Sequence, residues 1–135
     1  MKYFGKPAGM WAVFGGSFRR GLVRRVFRAS GKRQFTEKDI EGMRRTAALR
    51  AADRNPYSWN MDFYEYPDGS GYEARFSRCG ICTLMQELGL QDLTPALCHL
   101  DYTMAEARGS ATFVREYTLA SGGPYCDCGY KKRQK

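Results

Sequence analysis

Apolar residues recur at two different spacings along the chain, and the spacing changes near residue 55. Over residues 9–29, Trp11, Phe14, Phe18, Leu22 and Val26 return every three or four positions, the period of a helix. Arg20, Arg24 and Arg28 form a second stripe at i, i+4, so the predicted helix is basic and amphipathic. Gly15-Gly16 lies inside it and costs roughly 1 kcal/mol per glycine relative to alanine. Ser30-Gly31-Lys32 reads as its stop. A second helix is predicted from Thr36 to Ala52. Thr36 is a good N-cap, and Glu37 and Asp39 place negative charge in the first turn, where the helix dipole favours it. Ile40, Met43, Ala47 and Leu49-Arg50-Ala51 give it an apolar side. Arg54-Asn55-Pro56 ends it, because the residue before proline avoids helical angles.

The period then changes to two. Trp59, Met61 and Phe63 alternate with Asn60, Asp62 and Tyr64, and Tyr72, Ala74 and Phe76 alternate with Glu73, Arg75 and Ser77. Pro67-Asp68-Gly69-Ser70-Gly71 is the turn between them, so this segment predicts a hairpin. Residues 80–89 predict a short helix, with Leu84 and Leu88 four apart. Thr94-Pro95 opens another, with proline in the first turn, and it runs to Gly109. Thr112 to Ala120 predicts a strand with Phe113, Tyr117 and Leu119 on one face. After the turn Ser121-Gly122-Gly123-Pro124, Tyr125 to Lys131 pairs back. The order ααββααββ predicts an α+β fold: an antiparallel sheet of two hairpins packed with about four helices.

The length of 135 residues suits one domain, with a basic helical part (1–54), an α+β core (55–131) and a basic tail (132–135). No apolar run reaches the roughly 20 residues of a membrane helix. The N-terminal Met10 to Phe14 run is too short for a secretory signal, which predicts a cytoplasmic protein. The net charge of +8 is uneven: residues 1–54 carry 14 Lys/Arg against 4 Asp/Glu. A basic helix can lie along a phosphate backbone. Here the aromatic residues of that helix sit at core spacing and are not interleaved with the arginines. That argues against a nucleic-acid partner and for a solvated face.

The five cysteines, Cys79, Cys82, Cys98, Cys126 and Cys128, are odd in number and follow no signal peptide, so reduced thiols are expected. Cys79-x-x-Cys82 falls where a strand ends and a helix begins, and a helix N-terminus favours a thiolate. Cys98-x-x-Asp101 puts a thiol and a carboxylate on nearly one helix face. Cys126 and Cys128 point to one face of a strand and Asp127 to the other. Packing is the competing reading throughout, strongest for Cys82 and Cys128, because free cysteine behaves as a small buried hydrophobe. His99 reads as a surface or satisfied histidine.

These pieces form a spaced set: Phe76-Ser77-Arg78-Cys79, Glu87-Leu88-Gly89, Leu97-Cys98-His99-Leu100-Asp101, Tyr117-Thr118-Leu119-Ala120-Ser121-Gly122 and Cys126-Asp127. Over residues 59–131 the chain resembles the L-2-amino-thiazoline-4-carboxylic acid hydrolase family. The resemblance implies hydrolysis of a cysteine-derived cyclic amidine at a non-peptide C–N bond, giving N-carbamoyl-L-cysteine. On that reading Asp101 is the candidate base, Cys79 a nucleophile or acid, and Cys98 their neighbour on the helix. Arg78 would grip the substrate carboxylate in a forked pair, with Gly122 and Asp127 completing the binding set. The same block is more distantly similar to vinyl-reductase-type ligand-binding domains, some of which hold zinc. In their pattern a glutamate and a cysteine precede the glycine turn, where this chain has Arg115 and Thr118. A zinc ion would then need Cys79, Cys98, Asp101 and Cys126 as its four ligands. The alternative function is a non-catalytic module, of sensor type, that binds a small molecule or a metal.

Overall fold

A computed structural model describes residues 21–134. The first helix among the described residues, α1, spans Gly21–Gly31, and the part expected over residues 9–20, including Arg20, lies outside them. Leu22 and Val26, from the apolar stripe of the predicted helix, are 74% and 57% exposed on α1. Helix α2 spans Glu37–Ala51. Its N-cap is Thr36, whose hydroxyl accepts from the Asp39 N–H, as the sequence predicts. Met43 and Ala47, one turn apart on α2, pack on the core, whereas Leu49 points out.

The hairpin forms as expected, with β1 at Asp62–Glu65 and β2 at Gly71–Phe76, and Phe63 opposite Ala74. Helix α3 (Gly80–Glu87) follows, and Leu84 and Leu88 lie on its exposed side. The helix expected from Thr94 to Gly109 is two pieces, α4 (Thr94–Cys98) and α5 (Leu100–Arg108), divided at His99. Gly109 ends α5 in the left-handed conformation, φ 74°, and its N–H returns to the Ala105 carbonyl at 3.0 Å. With α4 and α5 taken together the element order is ααββααββ, and the fold is α+β.

The fourth strand, β4 (Cys126–Lys132), is central. It pairs antiparallel with β2 on one side and with β3 (Ala111–Val114) on the other, in the order β1-β2-β4-β3. Strand β3 is shorter than the predicted Thr112 to Ala120. The Asp127 carboxylate takes the N–H groups of Glu116 (2.8 Å) and Tyr117 (2.6 Å), which draws the chain out of the ladder. Leu119–Ser121 then makes a 3-10 turn capped by Thr118. Tyr117 and Leu119 therefore do not continue the Phe113 face of a strand.

Period-two alternation puts Tyr72, Ala74, Phe76, Cys126, Cys128, Tyr130 and Phe113 on one face of the sheet, the face that buries the core. Met61, Ala74, Ala105, Phe113 and Cys128 form its buried centre. Rings from all four strands cross this face in a row. Phe63, Tyr72, Tyr130 and Phe113 meet with centroids 5.3, 5.9 and 5.2 Å apart. Tilted contacts at such distances are favoured by the ring quadrupoles. Helix α5 lies over β3 and against α1, and α2 lies over β1. Gly31 makes the α1–α5 approach possible: a Cβ there would sit 2.7 Å from the Arg108 carbonyl oxygen.

Candidate functional site

The sheet face ends at Phe76 and Cys126, and the cysteines gather around that end. Cys79 stands at the N-cap of α3 and makes no side-chain capping bond. Cys82 lies one turn along, near enough for Cys79 to act electrostatically on its thiol. Cys98 closes α4, and Cys126 and Cys128 come from β4. Cys79, Cys98 and Cys126 are near enough to act electrostatically on one another, and Cys126 acts on Cys128. The backbone N–H of Leu119 donates to Cys126 Sγ at 3.2 Å, which ties the Gly122 turn to the site.

A charged residue organises this group. The Arg115 side chain is only 7% exposed and sits just past β3 on the Phe113 face, its guanidinium 4.7 Å from the Phe113 ring centroid. It donates to Asp101 Oδ2 at 2.5 Å, to the Cys98 carbonyl at 2.9 Å and to Cys128 Sγ at 3.0 Å. A buried charge needs such partners, since its desolvation is otherwise uncompensated. Asp101, in the first turn of α5, is thus held by Arg115 and is not a free carboxylate. By sequence alone Arg115 reads only as a poor substitute for a metal ligand. The available signal was its position: two residues beyond buried Phe113, on the same face by strand alternation.

Burial raises the thiols. It pushes Cys98 up to about 11, and Cys82 and Cys128 up to about 12, with Cys79 adding to the effect on Cys82. Cys126 is raised as well, against the opposing pull of the Leu119 N–H. Near neutral pH these four are neutral thiols, polar and soft but weakly nucleophilic. Beside these thiols stands the Arg115–Asp101 ion pair.

The remaining predicted residues make contacts of their own. Arg78 donates through one guanidinium nitrogen to the Asp53 carbonyl, its backbone N–H donates to Asn60 Oδ1 at 2.7 Å, and its Nε is buried with no protein partner. Asp127 is on the opposite sheet face, capping the Glu116 and Tyr117 N–H groups. Gly122 ends the 3-10 turn with φ 83°, a left-handed conformation suited to glycine. His99 makes a ring contact with Tyr102, centroids 5.2 Å apart.

The donor chemistry of Cys79, Cys98, Cys126 and Asp101 would suit zinc. Among the described residues, however, no three His, Cys, Asp or Glu side chains converge closely enough to hold a metal ion, and Asp101 is engaged by Arg115. In this arrangement the four do not form a zinc site, and no step below runs through a metal.

The family model for L-2-amino-thiazoline-4-carboxylic acid hydrolase matches residues 15–130. The chain belongs to this family. The match begins in the basic helical part, well before the 59–131 stretch on which the resemblance was read. It takes in every cysteine as well as Asp101 and Arg115. No curated protein and no solved structure matches the chain. Among the described residues no helix is long and apolar enough to cross a membrane.

Proposed function

We propose that the chain hydrolyses a small cyclic amidine of the 2-aminothiazoline type at the Asp101–Arg115–thiol site. The observation that carries the reading is the buried Arg115, which holds a carboxylate beside the thiol cluster in a member of this hydrolase family. Asp101 accepts a proton from water as the water oxygen bonds to the amidine carbon of the ring. Arg115 orients Asp101 and steadies the charge that develops beside it. To give N-carbamoyl-L-cysteine, the carbon must stay on the cysteine nitrogen and leave the cysteine sulfur. The ring bond that breaks is therefore C–S, not the C–N bond expected at first. The departing sulfur takes the proton that Asp101 received, so the carboxylate is restored, and the second proton of the water passes to the ring nitrogen as the C=N bond is lost and the urea carbonyl forms. The sulfurs of Cys79, Cys98 and Cys126 provide a soft, polar lining for a sulfur-containing ring. Arg78 is the residue for the substrate carboxylate, because its buried Nε proton has no protein partner to lose.

Each turnover releases one thiol, which gives a direct assay. Catalytic amounts of the full chain are incubated with L-2-amino-thiazoline-4-carboxylate, and thiol and N-carbamoyl-L-cysteine are quantified. Turnover is expected, and Asp101→Asn is expected to lower it by about 10²–10⁴, the usual contribution of a general base. Absence of turnover by the wild-type chain refutes the activity.

One observation favours the non-catalytic module. Four raised thiols and a paired carboxylate are better suited to hold a polar ligand than to attack it. Saturable binding of the same compound without any product selects that reading.

A further inference from the structure

A second concavity lies at the other end of the core-facing side of the sheet. By register, Cys126 is opposite Phe76 at one end, and Tyr130 is opposite Tyr72 near the other. Four residues of strand separate Cys126 from Tyr130, about 13 Å at roughly 3.3 Å per residue. The cleft there holds about 530 Å³ and opens between the α1–α2 connection, α2 and the end of α5. Small-molecule sites occupy roughly 300–1,000 Å³, so its size is suitable.

Its lining is unbalanced in charge. Arg33, Lys38 and Arg108 border it, against a single carboxylate, Asp39. Asp39 Oδ2 is already engaged, accepting the Phe35 N–H at 2.8 Å and the Tyr72 hydroxyl at 3.0 Å. None of the three cations makes an ion pair with a carboxylate among the described residues. Arg108 in addition keeps a buried Nε with no hydrogen-bond partner. Its guanidinium lies 5.9 Å from the Phe27 ring centroid, and its charge acts on both Tyr72 and Tyr130, opposing the effect of burial on their hydroxyls. Gln34 stiffens one wall: it donates to the Tyr72 hydroxyl at 3.4 Å and accepts from Ser110 at 2.5 Å. Three cations without a carboxylate partner, lining one cleft with two tyrosines, form an environment for an anion with a flat body. The oxygens would take the guanidinium and ammonium protons, and the body would lie on the rings.

We infer that this cleft is a second ligand site, which takes a small molecule bearing an oxyanion, a carboxylate or a phosphate. It shares no residue with the thiol cluster and does not depend on the proposed reaction.

Amide-resolved NMR titrations of the full chain with sodium benzoate, sodium phosphate and neutral benzamide test the inference at constant ionic strength. A saturable response centred on residues 33–39, 108 and 130 is expected from an anion and not from benzamide, with millimolar affinity. A response to benzoate alone identifies the carboxylate class; one to phosphate alone identifies the phosphate class. Arg33→Gln and Lys38→Gln change exposed side chains and should each weaken binding by roughly two- to five-fold. Arg108→Gln, which removes a half-buried donor, should weaken it by about ten-fold. Asp101→Asn should leave it unchanged. The inference is overturned if neither anion binds saturably, if benzamide binds as well as benzoate, or if all three cation variants bind like wild type.

Discussion

Replacing Arg115 by methionine tests whether the charged pair organises the thiol end of the sheet. Methionine keeps the aliphatic stem and much of the volume, so the change removes mainly charge and hydrogen bonds. Asp101 Oδ2, the Cys98 carbonyl and Cys128 Sγ each lose a donor. Removing one partner of a buried ion pair typically costs about 3–5 kcal/mol, because the other charge is left uncompensated. The Asp101 side chain is 28% exposed, so water recovers part of that loss and the low end, about 3 kcal/mol, applies. A domain stability of about 5–15 kcal/mol leaves such a variant folded but measurably weaker. Urea denaturation at neutral pH gives the value, with an unchanged dependence on urea indicating an unchanged surface exposed on unfolding. The double variant with Asp101→Asn supplies the coupling. Removing the carboxylate charge once the guanidinium has gone should cost less than removing it from the wild type, by about 0.5–3 kcal/mol. A loss below about 1 kcal/mol for Arg115→Met, or strict additivity of the two changes, would refute the argument that the pair is buried and coupled.

Three further outcomes follow from the geometry. Gly80→Ala places a Cβ 2.0 Å from the Tyr57 carbonyl oxygen, backbone against backbone, so the start of α3 must shift; a loss of about 1–3 kcal/mol is expected on thermal or urea unfolding, and an unchanged midpoint contradicts the close approach. Asp127→Ala removes the acceptor of the Glu116 and Tyr117 N–H groups and should cost about 1–3 kcal/mol, with faster amide exchange over residues 116–119 as the local readout. The thiols of Cys82, Cys98 and Cys128 have an ordinary value of 9.0 and are raised by burial to about 12, 11 and 12. The unfolded chain therefore releases these protons first as pH rises. Their contribution is fully present below about pH 9 and is lost as pH climbs towards 11 and 12. Melting temperature should fall across that window, and a flat profile there would count against buried neutral thiols.

How far the sequence reaches depends on the range of the interaction. The Thr36 cap, the β1–β2 hairpin and the Gly109 stop are set by contacts within a few residues, and each follows from residue type and spacing alone. The alternation around Cys126–Cys128 is equally local, and it places those two thiols on the buried face with Asp127 opposite. The predicted strand from Thr112 to Ala120 failed because its competitor is distant. Asp127, ten and eleven residues away from Tyr117 and Glu116, takes the N–H groups that a longer ladder would have used. Apolar spacing places Leu22, Val26, Leu49, Leu84 and Leu88 on helices, but all five are exposed, since period alone cannot say whether a face is covered.

The candidate site divides along the same line. Cysteines and an aspartate are selected in a sequence because they are reactive, and in the structure Cys98, Cys126, Cys128 and Asp101 lie around one further residue. The residue that connects them is an arginine, which has no reactivity to attract notice and no value as a metal ligand. What marks Arg115 is a conflict of levels: an obligate charge at a position that strand alternation assigns to the core. Burying that charge requires a carboxylate and carbonyl oxygens nearby, so Arg115 implies its partners, whereas Cys98 or Asp101 alone implies none. In this fold the more informative question is which charge cannot avoid burial, because its partners then define the site that the reactive residues share.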